Sequence, residues 1–198
     1  MKYLNYTNLI TAEIIECLRK VDTKESGVLI DEILKAEKVF IVAVGRVSLS
    51  LQCFGKRLSH LGINVELVGS LTEKPATDHD LLIVASGSGE SILPLNIAKK
   101  AKQLKTRIGL ITSAEKSSLK EICDFSVRLV SPTKAVQQGD LVNQSLFDSA
   151  SKSSQSVQPM SSLFDQALHI YGDVISMLIL DNKDIDKDDI WKYHANLE

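Results

Sequence analysis

The sequence predicts an α/β fold, a parallel β-sheet with helices on both faces. Three observations carry this. Short apolar runs, Val39–Gly45 and Leu81–Ala85 the clearest, are too brief for helices and too continuously apolar for strands with one wet face. Each is followed by a turn of Gly and Ser and then by a segment of helical periodicity. The alternation persists over residues 39–130, and alternating strands and helices go with parallel pairing, because each helix returns the chain to the same edge of the sheet.

The remaining elements follow in order. Ile10, Ile14, Ile15, Cys17 and Leu18 give a helix from about Asn8 to Lys20, and Val28, Leu29, Ile33 and Leu34 a second from about Glu25 to Ala36. After the first strand, Leu51, Phe54, Leu58 and Leu61 form the apolar stripe of a helix ending near Leu61. Val65–Gly69 is a short strand, and the polar run Ser70–His79, with Thr72, Pro75 and Thr77, is a loop. Beyond Leu81–Ala85 come a helix from Ile92 to Leu104, a strand Arg107–Thr112, a short helix near Ser117–Cys123 and a strand Phe125–Val130. Ser161–Leu180 is the strongest helix. Its apolar face holds Leu163, Phe164, Ala167, Leu168, Tyr171, Val174, Ile175, Leu178 and Ile179, with Asp165, His169, Gly172, Asp173 and Ser176 opposite.

At 198 residues the chain reads as one domain with a core of its own. Its parts are N-terminal helices (1–37), a sheet core (38–130), a long polar loop (131–159), a C-terminal helix (160–182) and a tail (183–198). A formal net charge of -2, with basic residues scattered, argues against nucleic-acid and anionic-membrane partners. No apolar run reads as a membrane span and the N-terminus lacks a signal-peptide core, so the cytoplasm is the expected location. Cys17, Cys53 and Cys123 form no paired motif and read as small buried hydrophobes in a reducing compartment. His60, His79, His169 and His194 show no zinc-ligand spacing.

The chemistry gathers at the carboxyl ends of the strands, where open α/β sheets bind ligands. The turn Ser86-Gly87-Ser88-Gly89-Glu90-Ser91 offers hydroxyls, close backbone approach at its glycines and the positive end of the following helix. A phosphate fits there without a lysine; a plain serine-capped turn is the other reading. Gly45 and Arg46, followed by Ser48 and Ser50, form a second such turn, with either an anion contact or simple capping open to the serines. Thr112 and Ser113 end a third strand on the same edge. His60, in the last turn of its helix, either answers the helix dipole or points at a site. Asp165 is three residues beyond Ser162, as in a capping box, and four before His169.

Three pieces of the chain resemble the sugar isomerase (SIS) domain family and, within it, the 6-phospho-3-hexuloisomerase branch. They are Gly45-Arg46 leading into Phe54-Gly-Lys-Arg-Leu-Ser-His-Leu-Gly62, the stretch Asp80-Leu-Leu-Ile-Val-Ala-Ser-Gly-Ser-Gly-Glu-Ser91, and Gln158-Pro-Met-Ser-Ser-Leu-Phe-Asp-Gln166. The resemblance implies a three-layer α-β-α sandwich with a five-stranded parallel, flavodoxin-like sheet. It implies a phosphorylated ketohexose as substrate, no metal or organic cofactor, and a homo-oligomer, a tetramer or dimer. The implied reaction interconverts a 3-hexulose 6-phosphate and fructose 6-phosphate. Gly45, Arg46, Ser48, Ser86, Gly87, Ser88, Glu90 and Ser91 would bind substrate, with His60 and Asp165 catalytic. A non-catalytic or regulatory sugar-phosphate-binding protein, and an isomerase of another phosphosugar, are the alternatives. Two departures stand out. Val47 occupies the family's serine position, so that Ser48 is displaced by one place, and Asp165 stands where the family has glutamate.

Overall fold

The computed structural model describes residues 2–132, 156–183 and 190–194. Five strands, β1 (Val39–Val42), β2 (Val65–Leu67), β3 (Leu81–Ala85), β4 (Arg107–Thr112) and β5 (Phe125–Arg128), form a parallel sheet in the order β2-β1-β3-β4-β5. The helices are α1 (Lys2–Arg19), α2 (Thr23–Lys35), α3 (Gly45–His60), α4 (Ile92–Gln103), α5 (Ser118–Ile122) and α6 (Ser162–Lys183). Short 3-10 turns occupy Pro159–Ser161 and Trp191–Tyr193. The expected loop lies mostly outside the described residues, as does most of the expected tail.

Because side chains alternate along a strand, the sheet makes two cores. Val39, Ile41, Leu81, Ile83, Ala85, Ile111 and Val127 face one side and pack with α2, α3 and α6. Phe40, Val42, Leu82, Val84, Ile108 and Leu110 face the other and pack against Ala98 and Ala101 of α4 and Leu119 of α5. Burial of both faces explains why β3 is buried at every position and reads as an unbroken apolar run.

Helix α1 begins at Lys2, earlier than its apolar rhythm indicates, and only Cys17 along it is buried. Cys53 is exposed on α3, contrary to the expectation of a buried hydrophobe. The larger correction concerns α6. It lies parallel to α3, with Asp165 beside Arg46, Gly172 on Phe54 and Asp173 beside Arg57. The face so buried includes Asp165, Gly172 and Ser176, whereas Val174 and Leu178 are 44% and 41% exposed. Contact decides this rather than hydropathy: a Cβ on Gly172 would sit 2.8 Å from Phe54 Cβ, so the small residue marks the helix crossing. Tyr171, on the same buried face, donates a hydrogen bond to Ser26 of α2 at 3.0 Å. Among the described residues, α6 is also the one helix whose length and hydropathy would suffice for a membrane span, a feature the sequence reading did not anticipate. The protein itself buries 56% of its most apolar window, as befits a core helix.

Candidate active site

The sheet order changes direction between β1 and β3, which opens a crevice at their carboxyl ends. The turns after β1 and β3, the end of β4 and the first turn of α6 meet there.

The turn after β3 is held by its neighbours. Ser86 is 3% exposed; its Oγ accepts from Gly89 N at 3.0 Å and lies 3.0 Å from Ser91 Oγ. The Gly87 carbonyl accepts from Ser113 Oγ at 2.9 Å and Thr112 Oγ1 at 3.2 Å, so the end of β4 shapes the turn. Gly89 has φ +69°, and a Cβ there would collide with Ser117, the residue that caps α5. The turn therefore needs glycine at that point on two counts. Ser88 is exposed, and its Oγ accepts from Glu90 N at 3.2 Å. Glu90, expected among the substrate-binding groups, has a different partner: its Oε1 accepts from Ser118 N at 2.8 Å. That bond holds the Glu90 carboxyl below its ordinary pKa. What the turn has left for an anion is hydroxyls and backbone N–H groups at the start of α4.

The turn after β1 is organised by charge. Gly45 opens α3 with φ +61°. Arg46 Nε donates to Asp165 Oδ2 at 2.7 Å and Nη2 to Oδ1 at 3.1 Å, a bidentate pair. Hydrogen bonding to Asp165, with its negative charge, raises the Arg46 pKa above its ordinary value. The pair is lopsided, since the Arg46 side chain is 66% exposed and that of Asp165 only 7%. The pairing also replaces the capping-box role open to Asp165, because both carboxylate oxygens face Arg46. Ser162 Oγ instead donates to Pro159 O at 2.7 Å.

Ser48 accepts from Gln52 Nε2 at 3.0 Å along the exposed side of α3. One residue is about 100° of helix, so the displaced serine points along a different direction from Val47, which packs on the core.

His60 lies at the other end of α3, next to the amino edge of the sheet. It is 8% exposed and stacks on His194, ring centroids 5.1 Å apart, with Trp191 tilted against His194 at 5.3 Å. A helix of 16 residues is roughly 22 Å long at its usual rise. One chain therefore keeps His60 and Asp165 apart. Among the described residues no three His, Cys, Asp or Glu side chains gather as metal ligands. Nothing in the sequence marks Ser117 or Glu13, yet both shape this edge; their partners are 28 and more than 140 residues away along the chain, beyond the reach of local pattern.

The five-stranded parallel sheet, with a hydroxyl-lined turn at its switch point and a buried carboxylate beside it, is the architecture that the sugar isomerase resemblance implies. No family model matches the chain. It is 30% identical over 198 residues to the 3-hexulose-6-phosphate isomerase of Bacillus subtilis, covering all of both chains. It is 33% identical over 170 residues to the Methanocaldococcus jannaschii 3-hexulose-6-phosphate isomerase, over 85% of this chain and 82% of that one. A Methanococcus jannaschii protein whose crystal structure was taken to imply 3-hexulose-6-phosphate isomerase function superposes with TM-score 0.78 at 29% identity, over 98% and 99% of the two chains. The chain belongs to the 3-hexulose-6-phosphate isomerase family.

Proposed function

We propose that this protein interconverts 3-hexulose 6-phosphate and fructose 6-phosphate through an enediol. The observation that supports it most directly is the buried Asp165 carboxylate at the switch-point crevice, beside a turn of hydroxyls and free N–H groups and paired with a solvent-exposed arginine. In this reading Ser86, Gly87, Ser88 and Ser91 hold the phosphate. Asp165 takes the proton from C2 of the 3-ketose and returns it to C3, while a second group moves a proton from the C2 oxygen to the C3 oxygen. Arg46 is drawn toward substrate oxygens as negative charge develops there, which frees Asp165 to act as a base.

His60 enters this scheme only from a second copy of the chain, because its own α3 separates it from Asp165. A homo-oligomer with catalytic edges in contact is accordingly part of the proposal, as is a cytoplasmic location. Apolar side chains at that edge favour an assembly: Val44, Leu71, Ile92 and Met160 are 40%, 103%, 79% and 73% exposed, a poor surface for a free sugar-phosphate site and a good one for protein contact.

The test is formation of fructose 6-phosphate from 3-hexulose 6-phosphate in a coupled assay. No turnover, together with thermal stabilisation by phosphosugars, would turn the reading toward a binding protein. Mixing an inactive His60→Ala variant with an inactive Asp165→Asn variant tests the shared site. Hybrid assemblies regain activity if each site draws on two copies, and stay inactive if it does not.

A further inference from the structure

We propose that Glu13, on α1, is a positioning residue for the isomerisation, acting through the backbone that carries Asp165. The inference rests on the reading of Asp165 as the base.

Glu13 accepts three hydrogen bonds from one short segment: Ser156 Oγ at 2.7 Å, Val157 N at 2.8 Å and Gln158 Nε2 at 2.9 Å. Its two carboxylate oxygens are both engaged, Oε1 by the Val157 N–H and Oε2 by the Ser156 hydroxyl together with the buried Gln158 amide. The helix itself is anchored by buried Cys17, with Ile14 and Leu18 packed against the core. The clamped segment leads directly into Pro159–Ser161, where Met160 and Ser161 have φ +60° and +59°. Non-glycine residues adopt that conformation rarely, and hold it only when their surroundings over-determine it. Glu13 fixes the chain on one side of this turn. On the other side, Ser162 Oγ bonds Pro159 O at 2.7 Å and Leu163 and Phe164 are buried. Asp165 follows in the first turn of α6.

The arrangement therefore ties the height and direction of the first turn of α6 to a residue on α1. Aspartate has one fewer methylene than the family's glutamate with which to reach its target, so its reach depends more directly on where the helix backbone sits. A misplacement of about 1 Å in such a group can cost roughly a hundredfold in rate.

The experiment compares Glu13→Ala, Gln158→Ala, Asp165→Asn and the Glu13→Ala/Asp165→Asn pair in the full-length protein, with Glu16→Ala as the control. Glu16 lies one turn away on the same helix and pairs with Lys20 on the surface. Steady-state kinetics and amide hydrogen exchange over residues 159–165 are read together. Glu13→Ala is expected to lower kcat about 10- to 100-fold with KM within about threefold, and to speed exchange at Met160–Asp165. Gln158→Ala, which removes one of the bonds, gives a smaller loss of the same kind, and Glu16→Ala none. In the Asp165→Asn background, Glu13→Ala has no further effect on kcat, because the group it positions is already gone. Losses that multiply in the pair would show that Glu13 does not act through Asp165 and overturn the proposal. So would a Glu13→Ala protein with wild-type kcat, whatever its thermal stability. If Glu13→Ala does not fold, Glu13→Gln and Gln158→Ala decide by the same criteria. A wild-type protein that fails to turn over the substrate removes the functional reading and this role with it; an active wild type with indifferent Glu13 variants removes this role alone.

Discussion

Two aspartates among the described residues are almost wholly buried, Asp80 at 2% and Asp165 at 5% exposure, and they are held in opposite ways. Asp80 precedes β3 at the amino edge of the sheet. Its Oδ2 accepts from Thr77 N at 2.7 Å, Thr77 Oγ1 at 2.9 Å and Lys38 Nζ at 3.0 Å. The Lys38 side chain is itself only 14% exposed. Lys38 stands one residue before β1, and Val39 pairs with Leu81 in the register, so adjacent parallel strands deliver the two charges side by side. Among the described residues Asp165 has a single charged partner, and that partner is mostly in solvent. One oxygen of the first carboxylate is held by donors that are part of the fold. The second is held by a group that can leave without disturbing the core. Burial alone thus says little about whether an acidic group is structural; the exposure of its partner separates the two cases.

The comparison can be broken at several points. The largest effect is expected from Asp165→Asn, which should lower kcat by about 10²- to 10⁴-fold, the usual worth of a positioned acid–base group, while leaving the melting temperature close to wild type. Retention of full activity would remove Asp165 as the base. Lys38→Met should do the reverse. Leaving Asp80 buried and unpaired is expected to cost about 3 kcal/mol of unfolding free energy, read from denaturant titration, with kcat unchanged in the folded fraction.

The same pair predicts a pH dependence. Burial pushes the Asp80 carboxyl up, but the hydrogen bonds from Lys38 and Thr77 and the lysine charge outweigh it and hold the pKa below the ordinary 3.8. A depressed carboxylate stabilises the fold above its unfolded value and ceases to do so as pH falls through its folded value. The stability gap between wild type and Lys38→Met should accordingly be widest near neutrality and close below about pH 4. A gap that widens in acid contradicts this account.

Smaller effects are expected at the other carboxylate's partner. Arg46→Gln should change stability by less than about 1 kcal/mol, because an exposed partner is screened by water, yet raise KM about tenfold through the loss of one charged hydrogen-bonding group. A melting-temperature loss matching that of Lys38→Met would erase the distinction between the two aspartates. Smallest is Ser91→Ala, which removes one side of the Ser86–Ser91 hydroxyl contact. It should cost about 1 kcal/mol or less in stability, with a few-fold rise in KM as the measure of its share in phosphate binding.

Much of the fold is legible in the sequence. The continuous apolar runs of β1 and β3 declare strands covered on both faces, and the abrupt change to Ser and Gly after Ala85 locates the turn that the structure places at the switch point. Less of the site is legible. The apolar face of α6 reads wrongly at Gly172, Ser176, Val174 and Leu178, because α6 packs against α3 and α2 at once and contact, not hydropathy, selects the buried arc. Asp165 has the same local signature whether it caps its helix or faces Arg46. Glu90 belongs to a motif stretch, and nothing local foretells that one of its carboxylate oxygens accepts from the start of α5.

What the sequence determined by itself is what depends on neighbours along the chain: strand and helix identity, the parallel alternation, and the glycines and hydroxyls of the turn after β3. Side-chain periodicity and turn chemistry act over a few residues, so a single sequence carries them. The tertiary structure alone decided the partners. It set Arg46 on Asp165, Lys38 on Asp80, Glu13 on Gln158 and His60 at the edge opposite the crevice. Those pairings arise when crossovers bring strand ends and helix faces together from positions as far as 145 residues apart, and a hydrogen bond over such a separation leaves no trace in the local pattern at either end.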